Sequence, residues 1–217
     1  MNFLYFVGWS FFRLTSRFVF RVKVSGLQNV PASGGFILAS NHISYFDPPL
    51  LGSCLKRDMY FFAKEELFNR KLFGAVLRQV NSLPVKRGIF DRRALETAIN
   101  IVRNGNGLVF FPEGTRSKNG QLMSPKIGVG VIARQAVCPI IPAFISGADT
   151  LKKSLTDRRK LFVKFGEPLT VEWIKSFPAV KDSYREIALT VMSRIADLRE
   201  ELYINQNIPR AGHTLDK

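Results

Sequence analysis

Short apolar runs alternate with helical patterns along most of this chain, with turn residues between them. After the turn Pro31-Ala32-Ser33-Gly34-Gly35, the run from Phe36 to Ser40 predicts a buried strand, and a helix opens at Pro48. Met59 to Phe62 reads as a second strand, Lys71 to Val80 as a helix and Ser82 to Val85 as extended. Asp91 precedes a stretch in which Leu95, Ala98, Ile99 and Val102 share one face, and Gly105 follows; these are the start, stripe and stop of an amphipathic helix. Strands over 107–111, 140–146 and 161–165 come next. Ile187, Val191, Ile195, Leu198 and Leu202 form one stripe at helical spacing, which core packing explains. This alternation predicts an α/β fold, a mostly parallel sheet flanked by helices. Pro139 and Pro142 bracket one of the strands, and proline there calls for a sheet edge or a bulge. The chain shows no internal repeat or low-complexity segment.

The first 25 residues follow a different rule. Aromatic and aliphatic side chains dominate Met1 to Phe12, among them Phe3, Phe6, Trp9 and Phe12, after which Arg13, Arg17 and Arg21 recur at helical spacing. A membrane span needs about 20 apolar residues, so an arginine at position 13 argues against a transmembrane helix. The pattern is that of an interfacial helix, with rings at the headgroup boundary and arginines on anionic lipid. No basic residues precede the apolar part and no small-x-small site follows it, which speaks against a cleaved signal peptide. The competing explanation is a first helix packed on the domain by its aromatic face. Length favours one domain, so the chain divides into a membrane-association segment at 1–25, a main domain at 26–207 and a flexible tail at 208–217.

Charge supports the membrane reading. Lys and Arg total 32 against 17 acids, a net +15 that steers the protein towards polyanions. An apolar fraction of 46% with 19 phenylalanines favours an anionic bilayer over nucleic acid, for which no recognition signature is present. The two cysteines, Cys54 and Cys138, lie in apolar runs and fit a reduced, cytosol-facing protein without disulfides. The expected location is the cytoplasmic face of the cell membrane, peripheral or monotopic.

Candidate chemistry begins at His42, one of two histidines, just past the strand at 36–40. Asp47 follows five positions later and precedes Pro48-Pro49. On a continuous helix residues five apart point about 140° away from each other, but the prolines exclude that helix and make Asp47 a cap of a new one. A tight turn after a strand can fold the acid back onto the imidazole. A second polar loop, Pro112-Glu113-Gly114-Thr115-Arg116-Ser117, follows the strand at 107–111. Ligands of open α/β sheets bind at the carboxyl ends of the strands, where both loops emerge. Gly114 lets backbone approach a ligand, Arg116 offers a planar fork for phosphate, and Glu113 can accept a hydroxyl or orient the arginine. His213 lies in the polar tail.

These loops resemble those of the glycerolipid acyltransferase superfamily, in particular 1-acyl-sn-glycerol-3-phosphate acyltransferases. Four ordered blocks carry the resemblance: Asn41-His42 to Asp47, Leu83-Pro84-Val85-Lys86-Arg87-Gly88, Phe111 to Ser117, and Cys138-Pro139-Ile140-Ile141-Pro142. The resemblance implies that residues 26–207 are an acyltransferase domain. It implies that His42 is the general base and Asp47 its orienting acid, with an acyl thioester and a lysophospholipid as substrates. Arg87 and Arg116, backed by Lys86 and Lys126, then become phosphate-binding candidates alongside Glu113, Gly114 and Thr115. Neither a metal nor another cofactor is expected, and the donor is acyl-CoA or acyl-carrier protein. Other readings fit the same residues: acylation of a different lysolipid or an N-acylated amino acid, thioester hydrolysis, or a non-catalytic lipid-binding protein.

Overall fold

The computed structural model describes residues 3–86, 88–148 and 161–206. Seven strands form one sheet in the order β1-β7-β6-β2-β5-β3-β4. They are β1 Lys23–Ser25, β2 Phe36–Ser40, β3 Met59–Lys64, β4 Ser82–Val85, β5 Gly107–Phe110, β6 Ile140–Ser146 and β7 Phe162–Phe165. From β6 to β4 neighbouring strands are parallel; β7 runs antiparallel to β6, and β1 is parallel to β7. The helices are α1 Phe3–Leu14, α2 Asp47–Cys54, α3 Glu65–Phe68, α4 Lys71–Gln79, α5 Arg92–Arg103, α6 Gly128–Ala136, α7 Val171–Lys175 and α8 Lys181–Gln206.

The mostly parallel sheet is the one expected from the alternating pattern. Phe36, Ile37, Leu38 and Ala39 of β2 are all fully buried, because β2 is central and both sheet faces are covered. Its side chains alternate between two cores. Ile37 and Ala39 join the cluster with Ile99, Ile132, Val191 and Ile195, while Phe36 and Leu38 meet Leu50, Leu51 and Leu55. Each fully buried Leu or Ile contributes about 1.5–3 kcal/mol. Asp91 caps α5 as read from the sequence, accepting the Ala94 N–H at 3.1 Å. The stripe on α8 packs inward, with Ile187, Val191 and Ile195 fully buried.

Two expectations change. The strand bracketed by prolines is interior, not an edge, since β6 lies between β7 and β2. The bulge is present instead. Ala143 pairs with Phe165 whereas Ile140 bridges Leu169, one residue out of step, and Pro142 sits in the irregular stretch between them. The division drawn at residue 25 falls inside the sheet, because Lys23–Ser25 pair with β7. The tail at 208–217 lies outside the described residues.

Helix α6 has no counterpart in the sequence reading. Its run Gly128-Val129-Gly130-Val131-Ile132 combines glycine with β-branched residues, both poor helix formers. Packing overrides propensity here. A Cβ at Gly130 would lie 2.2 Å from the Tyr184 backbone oxygen, so glycine permits α6 and α8 to cross in backbone contact.

α1 continues into one turn of π-helix, Thr15–Val19, and rests against α2 and α4. The buried Tyr5 hydroxyl accepts the Met59 N–H at 2.9 Å, Trp9 Nε1 donates to the Leu55 carbonyl at 2.8 Å, and Arg13 donates to the Ser53 carbonyl at 3.1 Å. No helix among the described residues is long and apolar enough to cross a membrane.

Candidate active site

The topology puts the two polar loops side by side. From β2 the chain crosses over β5 to reach β3, whereas from β5 it crosses over β2 to reach β6. The connections diverge from adjacent strands and leave a crevice at their carboxyl ends. His42 and Glu113 sit in that crevice.

The His42 loop is anchored on both sides. The amide of the buried Asn41 donates from Nδ2 to the Ile145 carbonyl at 3.0 Å and accepts the Ile145 N–H at 2.8 Å, tying the loop to β6. The His42 N–H donates to Glu113 Oε1 at 3.2 Å, and the His42 carbonyl accepts from the Ser117 N–H at 2.7 Å. The imidazole is thus carried on backbone clamped from three directions, and its geometry needs little further ordering.

Asp47 Oδ2 lies 2.8 Å from His42 Nδ1 and also accepts the N–H groups of Ile43 and Ser44, each at 2.7 Å. With Oδ2 acting as an acceptor throughout, Nδ1 is the donor of the His42–Asp47 bond and Nε2 has the free lone pair. Nε2 has no hydrogen-bond partner among the described residues. The acid therefore points back along the chain instead of capping α2 forwards; Phe46 occupies the cap position and Pro48 and Pro49 stand in the first turn. Asp47 is fully buried and its Oδ1 has no hydrogen-bond partner among the described residues, which leaves the carboxylate poorly solvated beside the imidazole. The Phe111 ring stacks on His42 with centroids 4.0 Å apart.

Ser44 Oγ accepts the Phe46 N–H, so this hydroxyl shapes the turn. Burial pushes both the Cys54 and Cys138 thiols up to about 12, leaving them protonated and poor nucleophiles at neutral pH.

The second loop divides its work differently from the sequence reading. Glu113 does not orient Arg116. It is buried, and its two oxygens accept backbone N–H groups of His42 and Met123, stapling the two loops together. Burial raises its pKa, opposed by those two hydrogen bonds and reinforced by Asp47. Arg116 instead lies over the Tyr45 ring, 3.5 Å from its centroid, and this cation–π contact aims the guanidinium beside the His42 turn. Gly114 adopts φ +70°, and a Cβ there would come within 3.0 Å of the Lys126 side chain, which therefore crosses the loop. Thr115 is exposed.

Lys86 follows the edge strand β4, three strands from β2, or about 14 Å at usual strand spacing. Its ammonium faces Glu65 at 3.9 Å, so the structure does not bring it to His42. Arg87 lies outside the described residues. Of the proposed membrane side chains, Phe3, Phe6, Arg17 and Arg21 are exposed. Trp9 and Arg13 are turned onto α2 instead, with the Arg13 guanidinium 4.9 Å above the Trp9 ring, and Phe12 is half-buried. Arg13 and Arg17 border a cleft of about 350 Å³ between the end of α1 and Val22, Val24 and Cys54, away from His42. The local sequence carries no signal for the roles of Asn41, Tyr45 and Phe111, which arise only from contacts with Ile145, Arg116 and His42.

Comparison with known proteins agrees with this geometry. The family model "Acyltransferase" matches residues 21–146. The chain is 30% identical over 182 residues to the 1-acyl-sn-glycerol-3-phosphate acyltransferase of Bacillus subtilis (strain 168), covering 83% of this chain and 89% of that protein. It is 31% identical over 142 residues to the enzyme of the same name from Streptococcus pneumoniae, covering 64% of this chain and 52% of that protein. Among solved structures, the 1-acyl-sn-glycerophosphate (LPA) acyltransferase PlsC from Thermotoga maritima superposes with a TM-score of 0.69 at 29% identity. That match covers 90% of this chain and 78% of the other.

Proposed function

The chain belongs to the acyltransferase family, and from that premise we propose that it esterifies the sn-2 hydroxyl of 1-acylglycerol-3-phosphate with a fatty acyl thioester, giving phosphatidate. The observation that carries this reading is the His42–Asp47 contact at 2.8 Å with Nε2 unpartnered among the described residues, beside an arginine held on Tyr45.

In the proposed reaction His42 Nε2 takes the proton of the acceptor hydroxyl as its oxygen attacks the thioester carbonyl carbon. Asp47 holds the tautomer and stabilises the imidazolium. The tetrahedral intermediate collapses with loss of the C–S bond, and the imidazolium returns its proton to the departing thiolate. The nucleophile belongs to the substrate, so no acyl-enzyme is required; Ser44 and both cysteines are otherwise engaged or protonated. Arg116, with Lys126 behind it, receives the acceptor phosphate. Acyl-CoA and acyl-carrier protein are both anionic donors suited to a +15 chain.

The same reading places the enzyme peripherally on the cytoplasmic face of an anionic membrane. Exposed Phe3, Phe6 and Phe11 on α1 supply the apolar contact, and Arg17 and Arg21 the electrostatic one.

Purified full-length protein in detergent, offered a panel of lysolipid acceptors and both donors, tests the reading. Phosphatidate formed from lysophosphatidate, with weak use of acceptors lacking the phosphate, is expected. Equal use of unphosphorylated acceptors would move the assignment to another lysolipid, acyl release to water would make it a hydrolase, and no turnover by folded protein would leave lipid binding.

A further inference from the structure

Helix α4 is amphipathic in the wrong direction for a soluble protein. Its apolar residues Leu72, Phe73 and Val76 share one side, the spacing that on α5 feeds Ala98, Ile99 and Val102 into the core. On α4 that side faces outwards: Leu72 is 87% exposed, Phe73 47% and Val76 43%. Scattered exposed apolar residues are ordinary, but these are contiguous and they have company.

The connections β2-α2-β3 and β3-α4-β4 step the same way across the sheet, and right-handed crossovers then place α2 and α4 on one face. α1 packs against both. The outward phenylalanines of α1 therefore share a side of the molecule with α4. Ile89 and Phe90, both exposed, follow the carboxyl end of β4, and exposed Tyr45 and Phe46 follow that of β2, the rim on which His42 sits.

Charge identifies what covers this side. Neither residues 1–46 nor residues 67–90 contain an aspartate or glutamate, while Arg70, Lys71 and Arg78 border the α4 stripe and are exposed. A second copy of the chain laid symmetrically on this face would bring one basic margin against the other. An anionic lipid surface matches both the apolar stripe and its basic margin.

We propose that α4, with Ile89 and Phe90, is a second membrane-docking element that inserts beside α1 and lays the His42 rim against the bilayer. The inference rests on the reading that the acceptor is a membrane lipid, since docking then shortens the path from bilayer to base.

The test uses the full chain carrying Leu72→Gln, Phe73→Gln and Val76→Gln together, co-sedimented with vesicles of phosphatidylglycerol and phosphatidylcholine. All three side chains are exposed, so thermal unfolding should be unchanged; if the triple variant is unstable, Leu72→Gln alone serves. Binding should weaken about tenfold or more. Turnover of vesicle-embedded lysophosphatidate should fall with it, and turnover of a short-chain soluble acceptor should not. Leu189→Gln with Ile204→Gln, on exposed positions of α8, is the control and should bind as wild type. Wild-type binding by the α4 variant, or an equal loss in the control, overturns the proposal. So does a wild-type dimer in sedimentation equilibrium that the α4 changes dissociate while vesicle binding persists. Vesicle binding reads the surface whatever the chemistry, so an enzyme inactive on every acceptor would sink the functional reading without touching this one.

Discussion

The His42 imidazole lies flat against the Phe111 ring, with centroids 4.0 Å apart and planes 17° from parallel. Asp47 holds one edge of the imidazole at 2.8 Å, so the ring is restrained on an edge and on a face, while Nε2 meets no hydrogen-bond partner among the described residues. Phe111 follows β5 and opens the second loop, and this stacking joins the two halves of the site through their apolar surfaces as Glu113 does through hydrogen bonds.

Removing the base and removing its partner should not cost the fold equally. His42→Ala should lower turnover by roughly 10²–10⁴-fold in protein that still folds, with a loss of stability confined to the vacated ring's contacts with Phe111 and Asp47. Asp47→Ala should lower turnover by a similar factor and also destabilise the protein by about 2–4 kcal/mol, because it leaves the buried turn's Ile43 and Ser44 N–H groups without their acceptor. Turnover assays paired with denaturant titration separate the two, and near-wild-type turnover in folded His42→Ala protein would end the mechanism.

Arg116 should act on the acceptor more than on the donor. Loss of a charge-assisted phosphate contact costs about 1.5–3 kcal/mol, so Arg116→Ala should raise the apparent KM for lysophosphatidate about tenfold or more. Arg116→Lys should recover only part of this, since an ammonium offers neither the planar fork nor the same stacking on Tyr45. An unchanged KM in both variants would exclude the phosphate role.

Two carboxylates should give opposite pH trends in stability. Burial holds the Glu113 pKa above its ordinary value, so the folded state keeps that proton more tightly than the unfolded chain. Glu113's contribution to stability should therefore decline as pH rises from about 4 through the window up to its raised folded value. Asp91 is lowered by the Lys86 and Ala94 N–H groups, so its contribution is complete above its unfolded value and is lost as pH falls towards its folded one. Denaturation midpoints of wild type, Glu113→Gln and Asp91→Asn across this range measure both, and a pH-independent gap between wild type and either variant would contradict that assignment.

The N-terminal helix should separate into two sets of residues. Phe3→Gln, Phe6→Gln and Phe11→Gln, all at exposed positions, should weaken vesicle binding and leave thermal stability unchanged. Trp9→Phe and Tyr5→Phe should instead lower stability by about 1 kcal/mol each, through loss of the bonds to Leu55 and Met59. Deleting residues 1–21 would combine the two effects, so activity on a soluble acceptor should suffer as well.

The parallel sheet and the paired loops were legible along the chain because their signals are local. An unbroken apolar run marks β2, Asp91 and Gly105 bound α5, and two prolines after Asp47 forbid the helix that would part it from His42. The first and third family blocks carry His42 and Glu113, which meet in the crevice, whereas Lys86 of the second block lies three strands away against Glu65. What local pattern could not hold was decided by contacts between distant segments. Gly130 reads as a helix breaker until α8 is laid on it, and Glu113 reads as a ligand for Arg116 until the His42 and Met123 N–H groups claim its oxygens. The aromatic stripe of α1 could not show which rings meet lipid and which meet α2, since both environments reward the same apolar side chains. Tyr5 and Trp9 are sorted inwards because their polar tips find backbone partners at Met59 and Leu55, which exist only once the chain has folded.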